Sequence, residues 1–179
     1  MPLPGTSDPT VVRQLHASLM SRAPDQAIAV LQEAGYAAGE GTFRAFGAWL
    51  SGRDGVDRPE DLDAELLPEV LSDFFAQAGW GTLTITPVGT TALALDSPDW
   101  AEADAGSAQT PMCFFSAGML ADFLGRLSGE AVSVMEVECR CRGDARCRFL
   151  SATPEVLQRV YEAMTEGRTY EEALSGAPR

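Results

Sequence analysis

Apolar residues recur at helical spacing through the N-terminal part of the chain. The pattern predicts amphipathic helices over 12–19, 24–35, 42–50 and 66–79, of which the second and the fourth stop at a glycine. Residues 51–60 are rich in Gly, Asp, Arg and Pro, a composition typical of a loop. The sequence therefore begins with a mainly helical segment.

Further along, the periodicity changes to short runs that alternate or are rich in β-branched residues. These predicted strands are 82–86, 91–96, 132–137 and 148–152. A Pro-Val-Gly turn joins the first two, and an Arg-Gly-Asp turn lies between the last two. Each pair therefore predicts a β-hairpin.

Helices separate and follow these hairpins. Residues 115–127 have helical spacing and end at Gly129, a long helix opens at Pro154, and Thr169 with Glu172 forms a capping-box pattern for a final short helix. This order predicts an α+β fold, with an antiparallel sheet of about four strands packed against helices. We expect a single domain over 1–179, made of the parts 9–79, 80–152 and 153–179.

Composition excludes several classes of partner. The chain has 179 residues, 45% of them hydrophobic, which is enough for one buried core. Its formal charge of −13 opposes binding to nucleic acid or to an anionic bilayer. The N-terminus lacks the pattern of a secretory signal, and no apolar run reaches the length of a membrane span. We therefore expect a cytoplasmic protein with no nucleic-acid partner and no membrane span.

Cysteines supply the candidate chemistry. Cys139 and Cys147 straddle Gly143, so a hairpin with an odd-length loop centred there would place both thiols on one face. Cys113, at the start of the preceding helix, is a third ligand, and we expect the helix dipole to lower its pKa. Such thiols suit one tetrahedral Zn²⁺, and Fe²⁺ is an alternative. For the fourth ligand, spacing leaves Cys141, Glu136 and Glu138 open.

Basic residues interleave these cysteines. On alternating strand positions the arginines should point away from the thiols, yet lie near enough to offset the negative charge of a metal–thiolate site. The simpler interpretation is an ordinary solvated strand face. The arginines concerned are Arg140, Arg142, Arg146 and Arg148.

Within residues 80–152 the sequence resembles the 4-vinyl-reductase domain family. The residues that carry the resemblance are Cys113, Gly118, Glu136, Cys139, Gly143-Asp144 and Cys147-Arg148-Phe149. Asp122 departs from the pattern, since relatives often have a small residue there.

The resemblance implies both a metal site and a fold. It implies a zinc ion held by Cys113, Glu136, Cys139 and Cys147, with successive gaps of 23, 3 and 8 residues, and leaves Cys141 spare. It also implies a TRAPP-like fold, frequently dimeric, that encloses a pocket for hydrophobic or aromatic small molecules. We therefore expect a homodimer with such a small molecule as ligand.

Three functions follow as hypotheses. The first is a ligand-binding or sensory protein with a structural zinc, the second a tetrapyrrole-pathway vinyl reductase or its accessory protein, and the third a dimeric interaction or scaffold protein. Catalysis has little support, because His16 is the only histidine and Ser116 has no evident base partner. Candidate pocket residues, each of which could equally be core, are Phe46, Trp49, Phe74, Trp80 and Phe115.

Overall fold

The computed structural model describes residues 3–54 and 58–175, and within them the α+β prediction is confirmed. The helices are α1 (Pro9–Arg22), α2 (Pro24–Asp54), α3 (Leu67–Gln77), α4 (Phe114–Ser128), α5 (Pro154–Thr165) and α6 (Tyr170–Ser175), with 3₁₀ turns at Pro59–Asp61 and Arg140–Arg142. The strands are β1 (Thr84–Val88), β2 (Ala92–Ser97), β3 (Ser133–Glu138) and β4 (Cys147–Ala152). The division into three parts remains a prediction.

Both predicted hairpins form, and they join into one antiparallel sheet in the order β1-β2-β4-β3. Alternating side chains divide between its two faces. One face, with Leu95 and Phe149, packs into the large aromatic core under α2, α3 and α4. The other, with Ala94 and Leu150, packs against α5 and α6. The sheet is thus a middle layer between two layers of helices.

One element differs from its prediction. The two helices expected over 24–35 and 42–50 are parts of the single helix α2, which continues through residues 51–54 of the expected loop. Residues 55–57 of that loop lie outside the described residues. Gly35 does not end α2, because α4 lies so close that a Cβ on Gly35 would clash with the carbonyl oxygen of Phe115. A glycine taken for a stop signal is therefore a contact between two helices.

Asp122, the departure from the family pattern, is accommodated in the same way. It is buried on α4 opposite Gly39 of α2, where an added Cβ would lie 2.5 Å from that of Asp122. Its carboxylate accepts a hydrogen bond of 2.7 Å from the Nε–H of Arg126. The missing side chain at Gly39 thus makes room for the larger one at Asp122.

Capping at the chain's end follows its prediction. The backbone N–H of Thr169 donates to a carboxylate oxygen of Glu172 at 2.8 Å, and the N–H of Glu172 donates to the hydroxyl of Thr169 at 3.2 Å. Among the helices of the described residues, none combines the length and the apolar composition needed to cross a lipid bilayer.

Candidate metal centre

A β-bulge in β3 brings an acidic residue and a cysteine to the same face of the sheet. Glu136 pairs with Phe149, but the next paired position on β3 is Glu138, opposite Arg148. Such a bulge adds one residue to a strand, so positions three apart can share a face. Glu136 and Cys139 therefore both lie on the face of Phe149, with Cys147 beside them on β4.

Cys113 reaches this face from the other side, as the N-cap residue of α4. The backbone N–H groups of Met112 and Cys113 donate to Oε2 of Glu136 at 3.1 and 2.9 Å. These N–H groups precede the helix and have no intrahelical partner, so the carboxylate satisfies them. Glu136 thus fixes α4 against β3 and holds Cys113 over the sheet.

The four residues form one compact donor set. The sulfur, or one carboxylate oxygen, of Cys113, Glu136, Cys139 and Cys147 all lie within 4.8 Å of one another. The sulfur of Cys113 lies 3.9 Å from those of both Cys139 and Cys147, well beyond a disulfide bond of about 2.05 Å. Tetrahedral zinc with Zn–S bonds of about 2.3 Å requires sulfurs about 3.8 Å apart. The group could therefore hold a metal ion with little rearrangement.

Burial supports the same interpretation. The three cysteines are at most 1% exposed. Oε1 of Glu136 is buried and, among the described residues, has no hydrogen-bond partner. A buried carboxylate oxygen without a partner is costly unless a ligand satisfies it. A cation bound between the thiols would supply that partner.

Charges inside the cluster are strongly coupled. The pKa of Glu136 is raised from 4.5 to about 8, first by burial and then by the charge on Cys139. Thiols of Cys113, Cys141 and Cys147 donate to Cys139 and lower its pKa. The pKa of Cys113 is raised well above its usual value, because this thiol donates to its neighbours and is buried. The expected lowering at Cys113 by the helix dipole is therefore wrong.

The other two candidates for a fourth ligand lie elsewhere. Glu138 is turned to the α5/α6 face, where it accepts hydrogen bonds from Arg146 and from the hydroxyl of Tyr170. Cys141 is buried in the 3₁₀ turn and is not a member of the compact set, although its thiol interacts with those of Cys113 and Cys139.

The interleaved arginines form ion pairs away from the thiols. Arg148 donates to both carboxylate oxygens of Asp96 at 2.6 Å, and Arg146 also pairs with Asp96, at 3.2 Å. Arg142 pairs with Asp144 at 2.6 Å, and Asp144 in turn accepts the backbone N–H of Cys139 at 2.7 Å. The contribution of Arg142 to the centre is thus to position a ligand's backbone through Asp144.

The five candidate pocket residues all lie in or against the aromatic core. Phe46, Phe74, Trp80 and Phe115 are buried, and Trp49 is partly buried. Ring centroids join Phe46 to Phe74 at 5.1 Å and Trp80 to Phe115 at 6.0 Å. The core thus brings these side chains together in two groups. Nε1 of Trp80 is buried without a hydrogen-bond partner among the described residues.

Sequence patterns did not reveal a polar cluster beneath the α4 N-terminus. Glu102 is buried and accepts the backbone N–H groups of Phe115 and Ser116, at 3.2 and 2.8 Å, and the hydroxyl of Ser116. The Nε1–H of Trp100 donates to the same hydroxyl at 2.7 Å, and Nδ1 of His16 lies 3.7 Å from Glu102. The sequence signal was weak, because Glu102 lies in an acidic loop typical of solvent exposure.

Comparison with known proteins confirms the resemblance. The model of the vinyl-4-reductase domain matches residues 99–152, which include the four residues of the donor set. No curated protein matches the chain.

Two solved structures support the TRAPP-like fold. The phenol-responsive sensory domain of the transcription activator PoxR, with phenol, is 19% identical at a TM-score of 0.62, over 100% of this chain and 85% of that chain. A trafficking protein particle complex subunit 3 from Naegleria fowleri, covalently bound to palmitic acid, is 13% identical at 0.58, over 80% and 93%. A vinyl-4-reductase family protein from Methanocaldococcus jannaschii is also similar, with 23% identity at 0.44, over 68% and 66%.

Proposed function

We propose that this chain, whose residues 99–152 match the vinyl-4-reductase domain, is a sensory or binding protein for small aromatic or hydrophobic molecules, with a structural zinc ion. The observation that carries the ligand part is the buried, unpartnered Nε1–H of Trp80 in an aromatic core. The similar fold of a phenol-responsive sensory domain supports it. An aromatic molecule with a hydrogen-bond acceptor would satisfy both the indole N–H and its apolar surroundings.

The surroundings of Trp80 fit such a molecule. The centroid of its ring lies 5.5 Å from that of Trp100, and its plane is nearly parallel to the ring of Phe115. Trp100 already donates its N–H to Ser116, so Trp80 is the tryptophan of this cluster with a free donor within the described residues. We infer that the ligand enters by displacing aromatic side chains of this core.

Binding of phenol and of toluene separates these contributions. Both probes are apolar rings of similar size, but only phenol carries a hydroxyl oxygen that can accept from Trp80. We expect the protein to bind phenol about tenfold more tightly, the worth of one hydrogen bond of about 1.4 kcal/mol, measured by isothermal titration calorimetry. Trp80→Phe should abolish that preference and retain toluene binding.

The control is Trp49→Phe. Nε1 of Trp49 already donates to Gln77 at 3.1 Å, so this variant should keep the preference for phenol. Equal binding of phenol and toluene by the unmodified protein, or no binding of either, would contradict the proposal.

Zinc is the metal that the donor set favours. Thiolates and a carboxylate in a tetrahedral arrangement are typical zinc ligands. In the proposed centre Cys113, Cys139 and Cys147 would bind as thiolates and Glu136 through its unpartnered oxygen, so the ion would crosslink α4, β3 and β4. Elemental analysis of protein purified without chelator should give about one zinc per chain. Iron in place of zinc, or no metal, would contradict this assignment.

A catalytic role is not part of the proposal, because four protein ligands leave a tetrahedral ion no open position for water. We further propose that the protein is a cytoplasmic homodimer. Support for the dimer comes from exposed apolar side chains on α1 and α2, among them Val11, Leu15, Ile28 and Tyr36. Light scattering during size-exclusion chromatography should give twice the 19.1 kDa chain mass, and a monomer would contradict it.

A further inference from the structure

A cleft of about 480 Å³ adjoins the buried centre. It lies between α1 and the loop that leads to α4, and Cys141 and Met112 are part of its lining. Met112 directly precedes Cys113, and Cys141 follows Cys139 by two residues. The cleft therefore reaches the two backbone segments that carry ligands of the centre.

Backbone hydrogen bonds hold the cleft beside the centre. The N–H of Gly106 donates to the carbonyl of Arg140, and that of Ala108 donates to the carbonyl of Cys141, both at 2.9 Å. The loop is thus tied to the 3₁₀ turn that contains Cys141.

The lining of the cleft suits a cation on its way to a thiolate site. Glu102 and Asp104 contribute carboxylates, and His16, Met20, Met112 and Cys141 contribute imidazole, thioether and thiol groups. Such nitrogen and sulfur donors are ligands for zinc and for softer metals. The thiols of the centre are almost completely buried, so an ion needs a route to them.

We propose that Cys141 is a relay thiol, which passes a metal ion between the cleft and the centre. Its sulfur is positioned for this role, because it interacts with the thiols of Cys113 and Cys139 without belonging to the compact donor set. A metal–sulfur bond forms at Cys141 as its thiol proton leaves to solvent. It breaks as Cys113 or Cys139 takes over the ion, and Cys141 then regains a proton. This proposal rests on the zinc centre of the proposed function.

The test measures zinc exchange in the whole chain with Cys141 replaced by Ser or by Ala. A relay is a ligand in neither the initial nor the final state, so it changes rates and leaves the equilibrium unchanged. Zinc uptake by the metal-free protein and zinc loss to excess EDTA should both slow by about tenfold. The zinc content and the Kd from chelator competition should stay the same.

The outcomes separate this proposal from simpler ones. A substitution that only destabilised the fold would accelerate zinc loss, which is the opposite sign. Unchanged rates at full zinc content would show a bystander thiol and overturn the relay, and a weaker Kd would make Cys141 a permanent ligand. If the unmodified protein bound no zinc, the proposed centre itself would fail and the relay with it.

A second pair of variants tests the cleft with Cys141 intact. Ala17 lines the cleft from α1, so Ala17→Phe should obstruct it and slow both rates. Ala29 is an exposed residue of α2 outside this lining, and Ala29→Phe should leave both rates unchanged. Equal rates in the two variants would overturn the cleft as the route.

Discussion

The carboxylate of Glu136 accepts the backbone N–H of Cys113 at 2.9 Å through one oxygen and leaves its other oxygen buried without a partner among the described residues. The first oxygen joins α4 to β3, and the second is available to a cation beside three thiols. A structural contact and a proposed ligand are therefore combined in one side chain.

Cys139→Ser should remove metal and stability together. Folding and metal binding are coupled at such sites, so the loss of one thiolate should lower the free energy of unfolding by about 3–5 kcal/mol. Elemental analysis and urea denaturation measure the two effects. Cys141→Ser, outside the compact set, is the matched control and should keep its metal. A stable, fully metallated Cys139→Ser protein would refute the assignment.

Zinc affinity should fall as pH decreases, in part through Glu136. Its pKa of about 8 means that the metal-free site holds a proton there below that pH, and zinc must displace it. Between the ordinary pKa of 4.5 and about 8, Glu136→Gln should therefore release up to about one proton fewer on binding zinc. Calorimetry at pH 6.5 in two buffers of different ionisation enthalpy measures this number. Equal proton release by both proteins would contradict the prediction.

The two buried tryptophans should respond differently to loss of the indole N–H. Trp100→Phe breaks the hydrogen bond to Ser116, whereas Trp80→Phe removes a donor with no partner among the described residues. Both substitutions remove similar volume from the same core, so their cavity costs should be comparable. Trp100→Phe should therefore cost about 1 kcal/mol more in urea denaturation without added ligand. A larger cost at Trp80 would indicate that its N–H already has a partner.

Two glycines of the same helix should respond with opposite sign. Gly35→Ala would drive a Cβ into the backbone of α4 at Phe115, which cannot yield as a flexible side chain can. It should destabilise the fold by about 1–3 kcal/mol. Gly52→Ala meets no atom within 4 Å and should stabilise α2 by about 0.5–1 kcal/mol. Thermal unfolding of the two variants measures both effects, and stabilisation by both would contradict the close helix packing.

Local patterns were sufficient to predict most of the architecture. Hydrophobic periodicity reflects which side of an element is buried, so it located the helices and the two hairpins. Turn and cap residues act over a few positions, and Gly129 and the Thr169–Glu172 pair behave as their local chemistry predicts. The spacing of Cys139 and Cys147 about Gly143 indicated a shared site for the same reason.

Contacts between distant segments decided the rest. Whether Gly35 ends a helix depends on α4, about eighty residues later, because a glycine can serve either a turn or a close approach of two backbones. Spacing also left Glu136, Glu138 and Cys141 open as the fourth donor. The bulge at the paired positions of β4 placed Glu136 on the thiol face and Glu138 on the other.

The sequence by itself thus determined the elements, their order and the residue types available for a metal, because these follow from short-range periodicity and spacing. Only the tertiary structure decided which acid meets the thiols and which tryptophan lacks a partner among the described residues. Strand register and helix contacts place side chains within a few ångströms of one another, and they depend on the whole packed chain.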